Sequence, residues 1–342
     1  MSVLAEELKA RARALGADLA GLTKAQPLPE SAAYREWLAA GMQGTMDYMA
    51  KNAESREDIA RWYPQAKSVL LCGFSYSGNE AAGSRPGSGR VARYAALPDY
   101  HPELKGRMRK ILDWLKSREP AAEGRVFVDT SPLLERLYAR YAGIGWVGKN
   151  TMILSSKLGS YFFLAGLALN LELPEDAPAA DHCGSCTRCL DACPTDAFPR
   201  ERVLDASRCI AYFTIEHKGP IPPEFRPGMG DWVMGCDICQ EVCPWNRFSR
   251  PGSVFSPALP LNQPLEELAA MSPAGFKARF GGTPMERPKK RGIARNALLA
   301  MGNSRDPRHR DALERGTQDP DPVISEQAAW SLARLPPPSE GL

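Results

Sequence analysis

The spacing of apolar residues predicts a chain that mixes helices with strands. Leu4, Leu8 and Ala12 recur at helical spacing with charged residues between them, which predicts an amphipathic helix over residues 2–15. Further helices are predicted over residues 31–40 and 103–118 and from Ser131-Pro132 onward. Apolar runs predict strands over residues 18–22, 68–74, 125–129 and 161–169, and the last run is continuously apolar, as is typical of a central strand. The predicted fold class is therefore α/β or α+β.

Two stretches depart from this pattern. Residues 77–90 are rich in glycine, serine and proline, which predicts a mobile surface loop. In the C-terminal quarter, Ile293, Ala297 and Met301 recur at helical spacing, and the sequence DPDP at residues 319–322 opens a second, alanine-rich helix that resembles a HEAT-type repeat. One such repeat cannot bury its own apolar face, so we expect it to pack on the main body. The predicted domains are residues 1–175, 176–255 and 256–342.

The composition is that of an ordinary globular protein. The 342 residues are 44% hydrophobic and 24% charged, with a formal net charge of +3. No apolar run approaches the roughly 18 residues that a membrane helix needs. The N-terminal residues have neither a basic region nor a twin-arginine pair, so we expect a cytoplasmic protein without a membrane partner. The mild basicity permits a nucleic-acid partner without requiring one.

The spacing of the cysteines indicates two iron–sulfur clusters. Residues 183–194 have the spacing C-x-x-C-x-x-C-x-x-x-C-P, which is the ligand run of bacterial ferredoxins. A lone cysteine and a second run, C-x-x-C-x-x-x-C-P, follow at residues 209 and 236–244. In such proteins the last cysteine of each run binds the other cluster. Cluster 1 is therefore predicted to use Cys183, Cys186, Cys189 and Cys243, and cluster 2 to use Cys193, Cys209, Cys236 and Cys239.

Other uses of the cysteines are less consistent with this spacing. Structural zinc usually takes paired C-x-x-C units without the C-x-x-x-C-P ending, and disulfides belong to exported chains. The ninth cysteine, Cys72, lies in the middle of a predicted strand. We interpret it as a buried core residue, the alternative being a spare metal ligand.

Two further features have open interpretations. The glycines at 143, 145 and 148 form G-x-G-x-x-G, but they follow a helix and precede a strand, which excludes the dinucleotide-binding pattern. They fit a planar cofactor approaching the backbone, or else a glycine-rich turn between two elements. Asp129 ends a predicted strand and is a candidate acid, although it is also placed to cap the next helix, with Ser131 as a competing cap.

Several segments together resemble the epoxyqueuosine reductases of tRNA queuosine biosynthesis. The matching pieces are RVFVDT at 125–130, AGIGWVGKN at 142–150, TIEHKG at 214–219, CPWN at 243–246, the two cysteine runs and the helical tail. The resemblance covers nearly the whole chain. It implies a nitroreductase-like, cobalamin-binding α/β domain, a ferredoxin-like domain with two 4Fe–4S clusters and a HEAT-like C-terminal region.

The resemblance also implies a reaction. Epoxyqueuosine in the wobble position of a tRNA anticodon is reduced to queuosine, with cobalamin as nucleophile and electron carrier and the clusters as its source of single electrons. An external low-potential electron donor and a monomeric enzyme are implied as well. Asp129 is the implied proton donor. A donor must hold its proton near neutral pH, so we expect burial against the corrin ring to raise the pKa of Asp129.

The remaining site residues are carried over by position. The residues implied to line the cobalamin site are Arg56, Tyr94, Asp129, Asn150, Ile153, Ser155, Leu164, Thr195 and Ala211. The residues expected to bind tRNA are His217, Lys218, Lys289, Lys290, Arg291 and Arg295. Solvated surface positions are the alternative for Arg56 and for the basic residues. Trp146 and Trp245 are expected either to flank a cofactor or to pack in the core.

Two rival functions remain at this point. A cobalamin-dependent reductive dehalogenase shares the implied cofactors, although its organohalide substrates give no reason for a basic helical tail. A simple ferredoxin-type electron carrier shares the cysteine runs, although the roughly 180 residues before the first of them exceed what a carrier needs.

Overall fold

The structure, a computed structural model, describes residues 1–78 and 83–337. The helices are α1 (Ser2–Ala14), α2 (Ser31–Ala39), α3 (Asp47–Ala50), α4 (Ala53–Glu57), α5 (Ile59–Trp62), α6 (Tyr100–Arg118), α7 (Glu135–Tyr141), α8 (Arg188–Asp191), α9 (Ile210–Ile215), α10 (Ile238–Glu241), α11 (Leu265–Ala270), α12 (Pro273–Phe280), α13 (Lys289–Ser304), α14 (Arg310–Thr317) and α15 (Pro322–Leu332). The strands are β1 (Leu19–Lys24), β2 (Ser68–Ser75), β3 (Ser88–Val91), β4 (Gly124–Val128), β5 (Trp146–Val147), β6 (Ile153–Leu154), β7 (Phe162–Leu169), β8 (Trp232–Met234) and β9 (Asn262–Pro264).

The main sheet runs in the order β1-β2-β7-β4, and every neighbouring pair is antiparallel. The predicted central strand is confirmed, because Leu169 of β7 pairs with Ser68 on one side and with Gly124 on the other. Helices α1 and α6 pack on one face of this sheet and α7 packs on the other. Burial on both faces explains why β2 and β7 are almost wholly apolar. Cys72 on β2 is fully buried, as predicted for a core residue.

The second sheet was not predicted. It places β3 between β8, to which it is parallel, and β9, to which it is antiparallel. The predicted loop over residues 77–90 is therefore wrong at its C-terminal end, while residues 79–82 lie outside the described residues. The glycine content misled the prediction: a Cβ at Gly89 would lie 2.4 Å from Val233, so the strand packs here only without a side chain.

Two helix starts differ from the predictions. Helix α6 begins at Tyr100, because the side chain of Asp99 accepts a hydrogen bond from the backbone N–H of His101 and caps the helix. Helix α7 begins at Glu135, after a turn in which the N–H of Ser131 bonds to the carbonyl of Val128. Ser131-Pro132 therefore does not open this helix, and Asp129 does not cap it.

The C-terminal helices pack on the main body, as expected. Residues of α11–α15 form one apolar core with Val233 and Met234 of β8 and with Val91 of β3. The predicted second helix is α15, whose first turn is capped by Asp321. Helix α14, which lies between the two predicted helices, was missed. The HEAT-like and nitroreductase-like relationships and the three domain boundaries stay predictions. None of the helices in the described ranges is long and apolar enough to cross a membrane.

Candidate active site and cluster centres

The four cysteines predicted for cluster 1 line a single cavity. Cys183, Cys186, Cys189 and Cys243 face it together with Lys149, Asn150, Leu154, Arg188, Pro244 and Trp245. Short helices α8 and α10, which carry Cys189 and Cys239, pack on each other and so bring the two cysteine runs together. The indole N–H of Trp146 donates to the sulfur of Cys183 over 3.4 Å. The distant Cys243 therefore joins the first run, as the crossed pattern predicts.

The cysteines predicted for cluster 2 also lie close to one another. Burial raises the pKa of Cys209, and the nearby thiol of Cys193 raises it further. The pKa values of Cys236 and Cys239 are likewise raised by burial and by the thiol of Cys209. Thiolates crowded into a buried site repel one another unless iron cations neutralise them, so this donor set fits a cluster.

Within the part of the chain that the structure describes, no group of three His, Cys, Asp or Glu side chains converges closely enough to hold one metal ion. Four thiolates that bind one tetrahedral ion converge on a point, whereas those that bind a 4Fe–4S cluster each reach a different iron.

Asp129 lies at the centre of a hydrogen-bonded group of side chains. It follows β4, and the first turn of α6 supplies its neighbours. Tyr100 donates its hydroxyl proton to Asp129, and Nε2 of His101 lies 2.6 Å from Oδ1 of Asp129. The other ring nitrogen of His101 lies 2.6 Å from Oδ1 of Asp99. Arg287, from the loop before α13, donates to the Tyr100 hydroxyl over 2.9 Å.

The ionisation of this group differs from the expectation. Partial burial acts to raise the pKa of Asp129, but the hydrogen bonds from His101 and Tyr100 and the charges of His101 and Arg287 lower it overall. The predicted rise is therefore wrong for this arrangement. Burial acts to lower the pKa of His101, but its bonds to Asp129 and Asp99 raise it overall. The described structure favours an ionised Asp129 beside a protonated His101.

Several residues predicted to line cobalamin adjoin either the cluster 2 cysteines or Asp129. The ring of Tyr94 approaches Gly235, the residue before Cys236, and lies 5.9 Å from the guanidinium of Arg287. Leu164 is half-buried in the middle of β7. Val128 of β4 pairs with Ala165, so the antiparallel register puts the next residue, Asp129, beside Leu164. Thr195 and Ala211 each lie two residues after a cluster 2 cysteine, and the side-chain amide of Asn150 donates to the carbonyl of Cys239.

The other predicted cofactor residues are held inside the protein. Ile153 and Ser155 are buried in and next to strand β6. Arg56 is also buried and donates to the carbonyls of Tyr48 and Met49, so the solvated alternative for Arg56 is wrong.

The three glycines of residues 143–148 are explained by the chain itself. A Cβ at Gly145 would lie 2.0 Å from the carbonyl oxygen of Leu154, and one at Gly148 would lie 2.6 Å from the Leu154 side chain. Gly143 has a φ of +71° and ends the turn after α7. The interpretation as a turn between two elements is therefore confirmed, and the interpretation as backbone facing a planar cofactor is corrected.

The predicted tRNA-binding residues come together from two distant segments. Lys218, Lys289 and Arg291 are exposed, and the Arg291 guanidinium donates to the carbonyl of Lys218 and to Asp321. His217 and Lys290 are half-buried. These residues form a basic surface on the side of the molecule that carries Arg287.

Arg295 does not belong to this surface. Only 1% of it is exposed, and its guanidinium donates to the carbonyls of Phe213, His217 and Gly219. The prediction of a direct contact with tRNA is corrected: Arg295 holds the 213–219 segment against α13.

The sequence pattern missed three residues of the Asp129 group: Tyr100, His101 and Arg287. The signal for the first two was Asp99 immediately before a helix, because a capping residue fixes the direction of the first-turn side chains. No local signal marked Arg287, which is 158 positions after Asp129 in the chain.

Comparisons with known proteins agree on one family. A family model described as 4Fe-4S double cluster binding domain matches residues 182–246, which hold all eight predicted ligands. A second model, described as Epoxyqueuosine reductase QueG, DUF1730, matches residues 56–130. An epoxyqueuosine reductase from Pseudomonas aeruginosa is 39% identical over 341 residues, covering 97% of this chain and 94% of that protein.

Solved structures give the same result. The epoxyqueuosine reductase of Streptococcus thermophilus superposes with a TM-score of 0.89 at 28% identity, covering 96% of this chain and 90% of that one. A crystal structure of epoxyqueuosine reductase with an epoxyqueuosine-modified tRNA-Tyr stem loop superposes with a TM-score of 0.86 at 33% identity, covering 97% of this chain and 90% of that one.

Proposed function

The chain belongs to the epoxyqueuosine reductase family, and we propose that it reduces epoxyqueuosine in tRNA to queuosine. One observation carries the proposal: the likeness to the structure that holds an epoxyqueuosine-modified stem loop extends over 97% of the chain. It therefore includes the Asp129 group, both cysteine sets and the basic surface. A ferredoxin-type carrier has no use for the Asp129 group.

The two cysteine sets support delivery of single electrons. All eight ligand cysteines are half-buried, but burial raises the pKa values of Cys236 and Cys239 well above the ordinary value, so we place cluster 2 deeper than cluster 1. An external low-potential donor would therefore reduce cluster 1 first, and the electron would pass to cluster 2 through the packed helices α8 and α10.

Cobalamin is the cofactor that we propose for the reaction site. Tyr94, Leu164, Thr195 and Ala211 would line it. Tyr94, Thr195 and Ala211 adjoin cluster 2 cysteines in space or in the chain, and Leu164 follows from the strand pairing as the neighbour of Asp129. Asn150, Ile153 and Ser155 would support its edge, and Arg56 would hold the neighbouring 48–49 turn. When bound, cobalamin supplies a strongly nucleophilic cobalt centre that can be reduced one electron at a time.

Asp129 is the proposed proton donor. Opening an epoxide leaves negative charge on its oxygen, and an acid within hydrogen-bonding reach lowers that barrier. Asp129 is 40% exposed, so a substrate can reach it, and Tyr100 fixes its orientation.

The tRNA is proposed to bind on the basic surface. Lys218 and Lys289 are exposed and would reach phosphates, with His217 and Lys290 beside them, while the exposed Arg291 is paired with Asp321 and adds positive charge to the same surface. Phosphate contacts position a nucleic acid without reading its sequence, so this surface accounts for affinity.

The experiment that tests the function is mass spectrometry of tRNA nucleosides from cells that lack the protein. Epoxyqueuosine should accumulate at the expense of queuosine, and a plasmid copy of the gene should reverse this. A normal queuosine content in the deletion strain, with no accumulation of the epoxide, would overturn the proposal.

A further inference from the structure

His101 connects two carboxylates through short hydrogen bonds. Its Nε2 lies 2.6 Å from Asp129 and its Nδ1 lies 2.6 Å from Asp99. The side chain of His101 is only 15% exposed, whereas each carboxylate is 40% exposed. A histidine between two carboxylates has both ring nitrogens placed to donate, which is the arrangement of an imidazolium cation.

The proposed reaction needs more protons than one carboxyl group holds. Removing the epoxide oxygen as water consumes two electrons and two protons. The electrons come from the external donor by way of the clusters. One carboxyl group delivers a single proton, so it must be reloaded before the oxygen can leave as water.

We propose that His101, held by Asp99, stores the proton that Asp129 delivers to the substrate oxygen. This inference rests on the proposed function. His101 does not touch the substrate. It is a positioning residue, because it orients Asp129 and supplies the proton that Asp129 passes on. Asp99 keeps the imidazole charged and turns its Nε2 toward Asp129.

The proton transfers balance. Asp129 first takes the Nε2 proton of His101. As the carbon–oxygen bond opens, its electron pair stays on oxygen, which takes that proton from Asp129 and leaves Asp129 ionised and His101 neutral. Water then restores the Nε2 proton. The same path delivers the second proton to the hydroxyl group, which leaves as water. Each turnover therefore takes two protons from solvent, and Asp99 remains ionised throughout.

The charges around the group support this division of roles. Ionised Asp99 and Asp129 both favour the cationic form of His101, and Arg287 and the Tyr100 hydroxyl favour the ionised form of Asp129. The other ionisable side chains coupled to Asp129 are Tyr48, Tyr94 and Glu135, and the guanidinium of Arg287 also lies 3.5 Å from Nδ1 of His101. The hydrogen bonds to Asp129 and Asp99 raise the pKa of His101 overall, so the imidazole is charged below the ordinary value of about 6.5 and loses its proton as the pH rises through the raised pKa.

The first test measures the pKa of His101 in the purified enzyme that carries its clusters, without substrate. The chain has four histidines, so nitrogen-15 NMR of the imidazoles can follow each one, and His101→Gln assigns the signal. We expect His101 to titrate above the ordinary value of about 6.5. Asp99→Asn keeps a hydrogen-bond acceptor but removes its charge, so the pKa of His101 should fall by about one unit. A titration at the ordinary value, or one unchanged by Asp99→Asn, would overturn the proposal.

The second test is the pH dependence of a single turnover with an epoxyqueuosine-modified stem loop. The wild-type rate should fall as the pH rises through the His101 pKa, and Asp99→Asn should move this fall about one unit lower. His101→Gln should slow turnover by about 100-fold and remove the fall. His309→Gln is the matched control, because His309 forms a comparable pair with Glu266 in the C-terminal core and should leave the profile unchanged.

The two failures are distinguishable. If the wild-type enzyme binds the stem loop but never reduces it, the proposed function is wrong. The proton-storage role of His101 is then wrong as well, because it rests on that function. If the wild type reduces the stem loop and Asp99→Asn leaves the pH dependence of single turnover unchanged, only the proton-storage role of His101 is wrong.

Discussion

Asp129 shows how one residue changes meaning with its neighbours. The sequence placed it at the end of an apolar strand, where burial alone would raise its pKa. The fold adds His101, Tyr100 and Arg287, and their combined effect is to lower that pKa. The acid of the proposed reaction is therefore the hydrogen-bonded pair of Asp129 and His101, which share a proton, rather than an isolated carboxyl group.

Asp129→Asn should abolish most turnover while leaving the protein loaded and able to bind tRNA. The amide keeps the shape and accepts hydrogen bonds but cannot pass on an acidic proton, so we expect a loss of about 10²- to 10⁴-fold in single-turnover rate. Iron, cobalamin and stem-loop binding should stay at wild-type levels. Asp58→Asn is the control, because Asp58 only caps α5. Near wild-type turnover by Asp129→Asn would contradict the donor role.

Trp146 is predicted to tune cluster 1. Its indole N–H donates to Cys183, and hydrogen bonds to the ligand sulfurs stabilise the reduced, more negative cluster. Trp146→Phe keeps the aromatic ring and removes the donor, so the reduction potential of cluster 1 should become more negative in a titration followed by electron paramagnetic resonance. Trp245→Phe is the matched control, since that indole donates to the carbonyl of His182 instead. Equal potentials in wild type and Trp146→Phe would show that this hydrogen bond has no influence.

At the scale of elements, the contact between α8 and α10 determines which cysteines share a cluster. Helix α8 carries Cys189 of the first run and α10 carries Cys239 of the second run, and their packing brings Cys243 to the first run. The crossing is therefore a property of two helices rather than of one loop.

Cys243→Ala should accordingly damage cluster 1, although the neighbours of Cys243 in sequence belong to cluster 2. Iron analysis and spectroscopy of the variant should show that the cluster built on Cys183, Cys186 and Cys189 is lost or weakened. Cys72→Ala removes a cysteine that is buried in the core of the main sheet, and this variant should retain both clusters. Loss of only the Cys236 cluster in Cys243→Ala would refute the crossed assignment.

At the scale of the whole molecule, α13 joins the basic surface to the cluster region. Its first turn carries exposed Lys289 and Arg291, and its buried middle carries Arg295 and Asn296. The side-chain amide of Asn296 donates to the carbonyls of Thr214 and Val233, close to the cluster 2 loops. The tail therefore supports the cluster region, and its first turn carries part of the surface proposed to bind tRNA.

These two roles predict opposite phenotypes for neighbouring basic residues. Arg295→Ala leaves buried carbonyls without donors and should cost about 2 kcal/mol or more of unfolding free energy, measured as a lower thermal midpoint. Lys289→Ala should leave stability nearly unchanged, weaken stem-loop binding and make it less dependent on salt. A stable Arg295→Ala protein with a specific loss of tRNA affinity would restore the role first predicted for Arg295.

The sequence by itself determined what depends on local spacing. Cysteine spacing predicted both clusters and their crossing, apolar runs predicted the strands of the main sheet, and helical periodicity predicted α1, α2 and α13. Each of these follows from a few adjacent residues, whose geometry is set by the backbone.

Only the tertiary structure decided the features that join distant segments. The pairing of β3 with β8 and β9 overrode a glycine-rich composition, and packing against Leu154 explained the glycines assigned to a cofactor. Arg295 is charged and lies in a basic stretch, yet it is buried because carbonyls from residues 213–219 surround it. The ionisation of Asp129 depends on a histidine 28 positions before it and an arginine from the tail. Electrostatic interactions act through space, so a pKa is settled only when the fold has brought the charges together.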